Sequence, residues 1–272
     1  MSDVAPISSA IFASRELLPA LGNTTQAVNF SDPQGALKTI NDWVAEHTNG
    51  RLKSLIDRVD ANMKMILLST SFFDVEWKYK FDPKFTKKAN FYTSLTQSVP
   101  VDMMNVRGKF FRRYIENIDA DVLELPFALN NVQMLILLPR KTDGIDKLVD
   151  GLTTLELSDL KFKGSPRKVI DVKLPKFKIN SKADLRKSLQ SLGVHDLFTN
   201  ASFPGVANHG VMKVDVLVQN VALEVSERGA LFPIVTLPKR KPHKFVADHP
   251  FVFLIRLDND FLYGGRVNFV DN

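Results

Sequence analysis

The chain reads as an α+β protein built from mixed, mostly antiparallel sheets with peripheral helices. Three observations predict this. Strand-like apolar runs recur at short spacing through the middle and the end of the chain, the stretch MILLSTSFFDVEW at 65–77 is too apolar and too rich in Phe for a surface segment, and only a few amphipathic helical stretches lie between the strands.

Taken in order, Ser31-Asp32-Pro33 ahead of ALKTINDWVAEHT predicts a capped helix with Pro in its first turn, and Ala36, Ile40 and Val44 give it one apolar face. Thr48-Asn49-Gly50 stops it. The run from Met65 to Trp77 fits a long strand buried on both faces, which implies a central sheet. SVPVDMMNV, GKFFRRYIEN, DVLELPFA and VQMLILLP follow as strands, with turn signals at Arg107-Gly108 and Asn130-Asn131, the grammar of an antiparallel meander. GIDKLVDGL and ADLRKSLQSLGVHDLF read as helices, the second with Leu185, Leu189 and Leu192 at helical spacing. The last 60 or so residues return to strands in GVMKVDVLVQNVALEV, HKFVADHPFVFLIRL and FLYGGRVNFV, interrupted by a basic, proline-bearing stretch at 233–244. No second domain boundary is visible, so residues 1–272 read as one domain.

Composition excludes several classes. With 44% apolar residues and 20 Phe among 272, disorder is not the main state. A net charge of +6 permits an anionic partner without demanding one, and gives little support for nucleic acid. Zero cysteines remove disulfides, thiolate metal sites and a Cys nucleophile. The longest apolar runs, 134–138 and 251–255, are too short to span a bilayer, and the first 14 residues lack the pattern of a signal peptide.

Catalytic and cofactor motifs are equally scarce. The five histidines, His47, His195, His209, His243 and His249, are scattered, with no Gly-x-Ser-x-Gly elbow and no carboxylate at metal spacing, so no enzyme, metal or cofactor is expected. Asn23, Asn29 and Asn200 head Asn-x-Ser/Thr sequons, which matter only in an exported protein. The run Lys239-Arg240-Lys241 with His243 and Lys244 reads as an anion patch, a protease cleavage site or a solvated loop, and composition alone ranks the solvated loop first.

Seven passages taken together resemble the serpins, large protease inhibitors that act by inserting a loop into a central sheet. NFSDPQGALKTINDWVAEHTNGRLKSLI is similar to the family's Trp-Val helix and Thr-Asn-Gly turn, and STSFFDVEWKYKFDPKFT to the strand that carries its breach tryptophan, here Trp77. VLELPFALNNVQMLILLP, VKLPKFKI, DLRKSLQSLGVHDLF, VALEVSERGA and ADHPFVFLIR follow in the family's order, and the resemblance runs from about Ile7 to the end. It implies a serpin-like fold that lacks about the first hundred residues usual for the family, with their helices. Lys176 and Glu227 match the breach ion pair, and Ser69 and Gln219 align with the shutter Asn and His.

The resemblance also places a reactive-centre-like exposed loop at 229–244. Glu227-Arg228-Gly229 matches the hinge and Ala230 is small, but Phe232 and Pro233 stand where the family has small residues. Phe232 and Ile234 in slots meant for methyl-sized groups would cost about 1–3 kcal/mol each, and Pro233 lacks a ladder N–H. The loop is also short: from Ala230 to Arg240 an extended arm reaches roughly 36 Å. The implied function is inhibition of a serine (trypsin-like) or papain-like cysteine endopeptidase by a monomer without nucleic-acid or membrane partners, by a route that can stop short of full insertion; the alternative is a non-inhibitory binding protein on the same scaffold. Lys239, Arg240 and Leu237 are the candidate scissile residues; Pro238 blocks most cleavage after Leu237, and Pro242 blocks it after Lys241. Family resemblance places the protein outside the cell, while the sequence leaves the cytoplasm open.

Overall fold

Asp32 and Pro33 set the first long helix. The Asp32 carboxylate accepts the Gly35 N–H at 3.1 Å, and Pro33 fills the first turn, where a missing N–H leaves nothing unpaired. Gly35 is required by that cap, because a Cβ there would stand 2.2 Å from Asp32 Oδ2. Positive φ at Asn49 (51°) and Gly50 (73°) ends the helix, as the sequence predicts.

This geometry comes from a computed structural model, which describes residues 7–21, 25–73, 75–162, 166–199, 213–231 and 242–270. Its elements are β1 (Ile7–Ala13), α1 (Leu18–Leu21), β2 (Thr25–Ala27), α2 (Pro33–His47), β3 (Met65–Phe73), β4 (Trp77–Tyr79), β5 (Lys87–Tyr92), β6 (Ser98–Ile115), β7 (Ala120–Pro126) and β8 (Val132–Pro139). After these come α3 (Ile145–Leu152), β9 (Lys168–Pro175), β10 (Phe177–Asp184), α4 (Arg186–Ser191), β11 (Val216–Val225), β12 (Gly229–Leu231), β13 (His243–Val246), β14 (Phe251–Leu257) and β15 (Asp260–Val267). Their contacts divide the chain into two compact units, Met1–Phe73 with Ile179–Leu223, and Asp74–Lys178 with Glu224–Asn272.

The first unit holds a five-stranded sheet in the order β10-β11-β3-β1-β2. β3 pairs antiparallel with β1 and parallel with β11, the latter from Val216↔Ile66 to Leu223↔Phe73. Alternation puts Phe12, Ile66, Leu68 and Val218 on one face, where they meet Ala36, Ile40, Trp43 and Val44 of α2 in one buried cluster. Trp43 packs edge-on against Phe12 at 5.7 Å and stacks on His47 at 4.3 Å. Asn41 then anchors the chain that leaves the helix: its Oδ1 accepts the Leu55 and Ile56 N–H groups and its Nδ2 donates to the Ile56 carbonyl at 2.9 Å.

The second unit is built on strands in the order β13-β9-β6-β7-β8-β14-β15, with β5 also on β6. The sequence predicts two strands split at Arg107-Gly108, but β6 is one strand of 18 residues. It changes partners instead of turning: residues up to Phe110 pair with β9, and Phe111 onward with β7. Gly108 serves packing here, because a Cβ on it would come within 2.8 Å of the Phe110 ring. The predicted helix at 183–198 is also shorter, since Ala183 and Asp184 end β10 and Gly193, at φ 90°, closes α4 before a 3₁₀ turn at Asp196–Phe198.

Inside this unit Arg256 and Glu124 form an ion pair of 2.5 Å with side chains only 12% and 9% exposed. Arg256 also donates to Gln133 Oε1 at 3.0 Å and to the Leu160 carbonyl at 3.3 Å. Burial pushes the Glu124 carboxyl above its ordinary pKa, and Arg256 and Arg167 offset only part of this. Removing the cation alone leaves a buried charge uncompensated. Arg256→Met is therefore expected to lower stability by about 3 kcal/mol in urea unfolding, whereas a loss under about 1 kcal/mol would show that water reaches Glu124.

Candidate functional site

Trp77 begins β4, is 4% exposed, and lies flat on Phe127 with ring centroids 4.4 Å apart. From there it grips the hinge twice. Its indole Nε1–H donates to the Ser226 carbonyl at 2.8 Å, and its backbone N–H donates to the Arg228 carbonyl at 3.0 Å. The next residues of the hinge add a strand to β4: β12 runs parallel to it, with Gly229 beside Trp77 and Leu231 beside Tyr79.

Gly229 permits this close approach. A Cβ on it would stand 2.7 Å from Lys80 Cα and 2.8 Å from the Trp77 carbonyl oxygen, both backbone atoms that cannot yield locally. Glu227, two residues earlier, is held by Lys176 at 3.0 Å and by the Thr86 hydroxyl, which donates to it at 2.8 Å. Arg228 is exposed and reaches Glu76 at 3.2 Å. Partial burial alone would raise the Glu227 carboxyl, but hydrogen bonds from Lys176, its own backbone N–H and Thr86, together with the Lys176 charge, lower it below the usual carboxylate range.

The structure thus brings together Trp77, Lys176, Glu227, Arg228, Gly229 and Ala230, the breach and described hinge residues expected from sequence. Thr86, Glu76 and Phe127 join them without having been singled out. All three lie in passages that carry the family resemblance, but none has a sequence signal of its own, because each is defined by what faces it. The expected loop at 229–244 gives its first three residues to β12 and its last two, His243 and Lys244, to β13. Phe232, Pro233, Leu237, Lys239 and Arg240 lie outside the described residues, as do Asn23, Asn200 and His209.

In the first unit, Ser69 and Gln219 are direct register partners across β3 and β11. Ser9 stands opposite Ser69 on β1, and its hydroxyl donates to Ser69 Oγ at 3.3 Å. Among the described residues Gln219 makes no side-chain hydrogen bond to Ser69. The polar link that forms lies one residue on, where buried Asn220 donates from Nδ2 to Asn180 Oδ1 at 2.7 Å. Asn29 is exposed, and its Oδ1 accepts the Ser31 N–H at 3.2 Å. Among the described residues no group of three His, Asp or Glu is placed to hold a metal ion, and no helix is long and apolar enough to cross a membrane.

Comparison with known proteins gives the class. The family model described as serpin (serine protease inhibitor) matches residues 18–269, and the chain belongs to that family. It is 34% identical over 252 residues to Serine protease inhibitor 42Dd of Drosophila melanogaster, covering 89% of this chain and 66% of that protein. It is 29% identical over 257 residues to human Serpin B3, again covering 89% and 66%. Among solved structures, uncleaved ovalbumin superposes with a TM-score of 0.85 at 27% identity, covering 98% of this chain and 74% of that one. Serpin48 of the insect Tenebrio molitor gives 0.83 at 27% identity, with 100% and 78% covered. The chain spans between 58% and 67% of the length of the curated relatives it matches.

The Glu227 latch has a defined pH dependence. Because its carboxyl titrates lower in the folded protein than in the unfolded chain, the stabilisation is complete above the ordinary carboxylate range and is lost as pH falls through the lower folded value. With Lys176 39% exposed, solvent screens part of the pair. Glu227→Gln is expected to cost about 1–2 kcal/mol at pH 7 and progressively less below about pH 4, read from urea unfolding at each pH. A cost that is independent of pH would mean that the carboxylate charge is not what holds the hinge.

Proposed function

We propose that this protein is a serpin-type protease inhibitor, not an enzyme, that offers the basic stretch at 237–240 as bait and engages its target without inserting the whole loop. Lys239 or Arg240 is the scissile residue for a trypsin-like serine endopeptidase, with Leu237 less suited because Pro238 follows it. A papain-like cysteine endopeptidase is the second target class. The family match and the inhibitor named among its relatives support the general activity.

The observation that carries the restricted mechanism is the pairing of β12 with β4. Full insertion needs the hinge to leave that strand and then to carry Phe232 and Pro233 through positions suited to small residues. Eleven residues, 232–242, separate β12 from β13, so the bait lies on a short connection whose leading end is paired. The same pairing favours a second reading, a non-inhibitory binding protein that keeps the scaffold.

Incubation with trypsin-like and papain-like enzymes, followed by activity assays and denaturing gels, separates the readings. Expected are transient inhibition and slow cleavage at Lys239 or Arg240, with no complex that survives boiling in detergent. A detergent-stable band would overturn restricted insertion while leaving inhibition standing; neither inhibition nor cleavage would establish the non-inhibitory reading. Phe232→Ala combined with Pro233→Ala is expected to raise the melting temperature of the nicked protein by roughly 5–20 °C as insertion becomes possible. Unchanged melting would show that bulk at the hinge is not the obstacle.

A further inference from the structure

One face of the second unit carries an excess of positive charge that the bait loop does not explain. Strand alternation and register put Arg107, Asp171 and Lys244 in one row across β6, β9 and β13, with Asn105, Lys173 and Val246 in the next row. Lys109 stands two residues beyond Arg107 on the same face, opposite Val169. Arg107 is neutralised by Asp171 at 3.2 Å. Lys109, Lys173 and Lys244 are exposed, and among the described residues no carboxylate lies within ion-pair distance of them. Strand spacing and rise place the three lysine backbones within about 15 Å of one another. Arg112, itself paired with Asp121, braces the edge by donating to the Lys244 carbonyl at 2.9 Å.

Chain reach ties this face to the bait. Arg240 precedes Lys244 by four residues, so their Cα atoms are at most about 14 Å apart. An enzyme docked over a standard interface covers about 800 Å² on its partner, a disc of roughly 16 Å radius. An endopeptidase that takes Arg240 into its active site therefore covers Lys244 at the rim of that disc, and at low salt the field of the neighbouring lysines extends about a Debye length into it. Unpaired surface cations under such a footprint act mainly on the rate of encounter, attracting acidic surfaces and repelling basic ones.

We propose that Lys109, Lys173 and Lys244 form an auxiliary docking face that selects endopeptidases with an acidic surface beside their active-site cleft. This rests on the inhibitor reading above, and it adds a partner chemistry which that reading leaves open. The lysines stand outside the bait and hinge, so their effect appears in association and not in cleavage itself.

Anionic and cationic trypsin, alike in fold and specificity but opposite in charge, are suitable probes, with fluorescent poly-L-glutamate as a probe that needs no active site. For the full chain at about 25 mM salt, association with anionic trypsin is expected to be at least about tenfold faster than with cationic trypsin, and the difference to collapse near 0.5 M salt. Lys109→Glu with Lys173→Glu should reverse the preference and abolish poly-L-glutamate binding; Lys109→Gln with Lys173→Gln, a milder change for the sheet, should remove the preference. Equal, salt-insensitive rates with both trypsins would overturn the docking face while leaving the inhibitor reading intact. If neither trypsin engages the loop, inhibition of trypsin-like enzymes falls, and poly-L-glutamate binding unaffected by the variants would by itself overturn the docking face.

Discussion

Two hydrogen bonds from one residue organise the segment from Ser226 to Leu231. Trp77 donates its indole N–H to the Ser226 carbonyl and its backbone N–H to the Arg228 carbonyl, while its ring is fixed against Phe127. A large, buried, stacked ring has little freedom to follow a moving partner. The chain that approaches it must therefore adopt the path the ring allows. That path aims Gly229 at the backbone of β4, brings Glu227 between Lys176 and Thr86, and starts β12.

The hinge is consequently subject to two competing demands. As a mobile element it would need small side chains and freedom to leave; as a short parallel strand it needs close backbone approach and a latch. Gly229 serves both, since a residue without a Cβ suits a sliding segment and also a strand pressed within 2.7 Å of Lys80 Cα. Phe232 and Pro233 oppose the first, because neither favours passage into a sheet interior. On the proposed reading, the balance of these residues restricts the mechanism to a bait held at its leading end, with association steered by surface charge as the proposed step of target choice.

Much of this was legible in the sequence, and what was not has physical reasons. Asp32-Pro33 and Asn49-Gly50 marked both ends of α2 because caps and positive-φ stops are local chemistry. The apolar run at 65–77 marked β3 but overran it, since β3 ends at Phe73 and Trp77 begins β4, and resemblance brought Lys176 and Glu227 together across 51 residues of chain. Arg107-Gly108 misled, because a glycine that makes room for the Phe110 ring looks in sequence like a turn. Ala183 and Asp184 fit a helical pattern and yet end β10, where sheet pairing outweighs weak local preference. The Asn220–Asn180 pair and β12 left no trace, since a lone polar contact and a three-residue strand have no periodicity to detect.

The central claim is that the hinge is bound to β4 in the native protein, and amide hydrogen exchange tests it most directly. The Trp77 backbone N–H, whose partner is the Arg228 carbonyl, reports that bond alone. Its exchange is expected to be slowed at least roughly a hundredfold relative to an unstructured chain, and to accelerate in Gly229→Ala, where the added Cβ prevents β12 from seating. Exchange of the Trp77 amide at the unprotected rate in the uncleaved protein would contradict the account, because the hinge would then already be free.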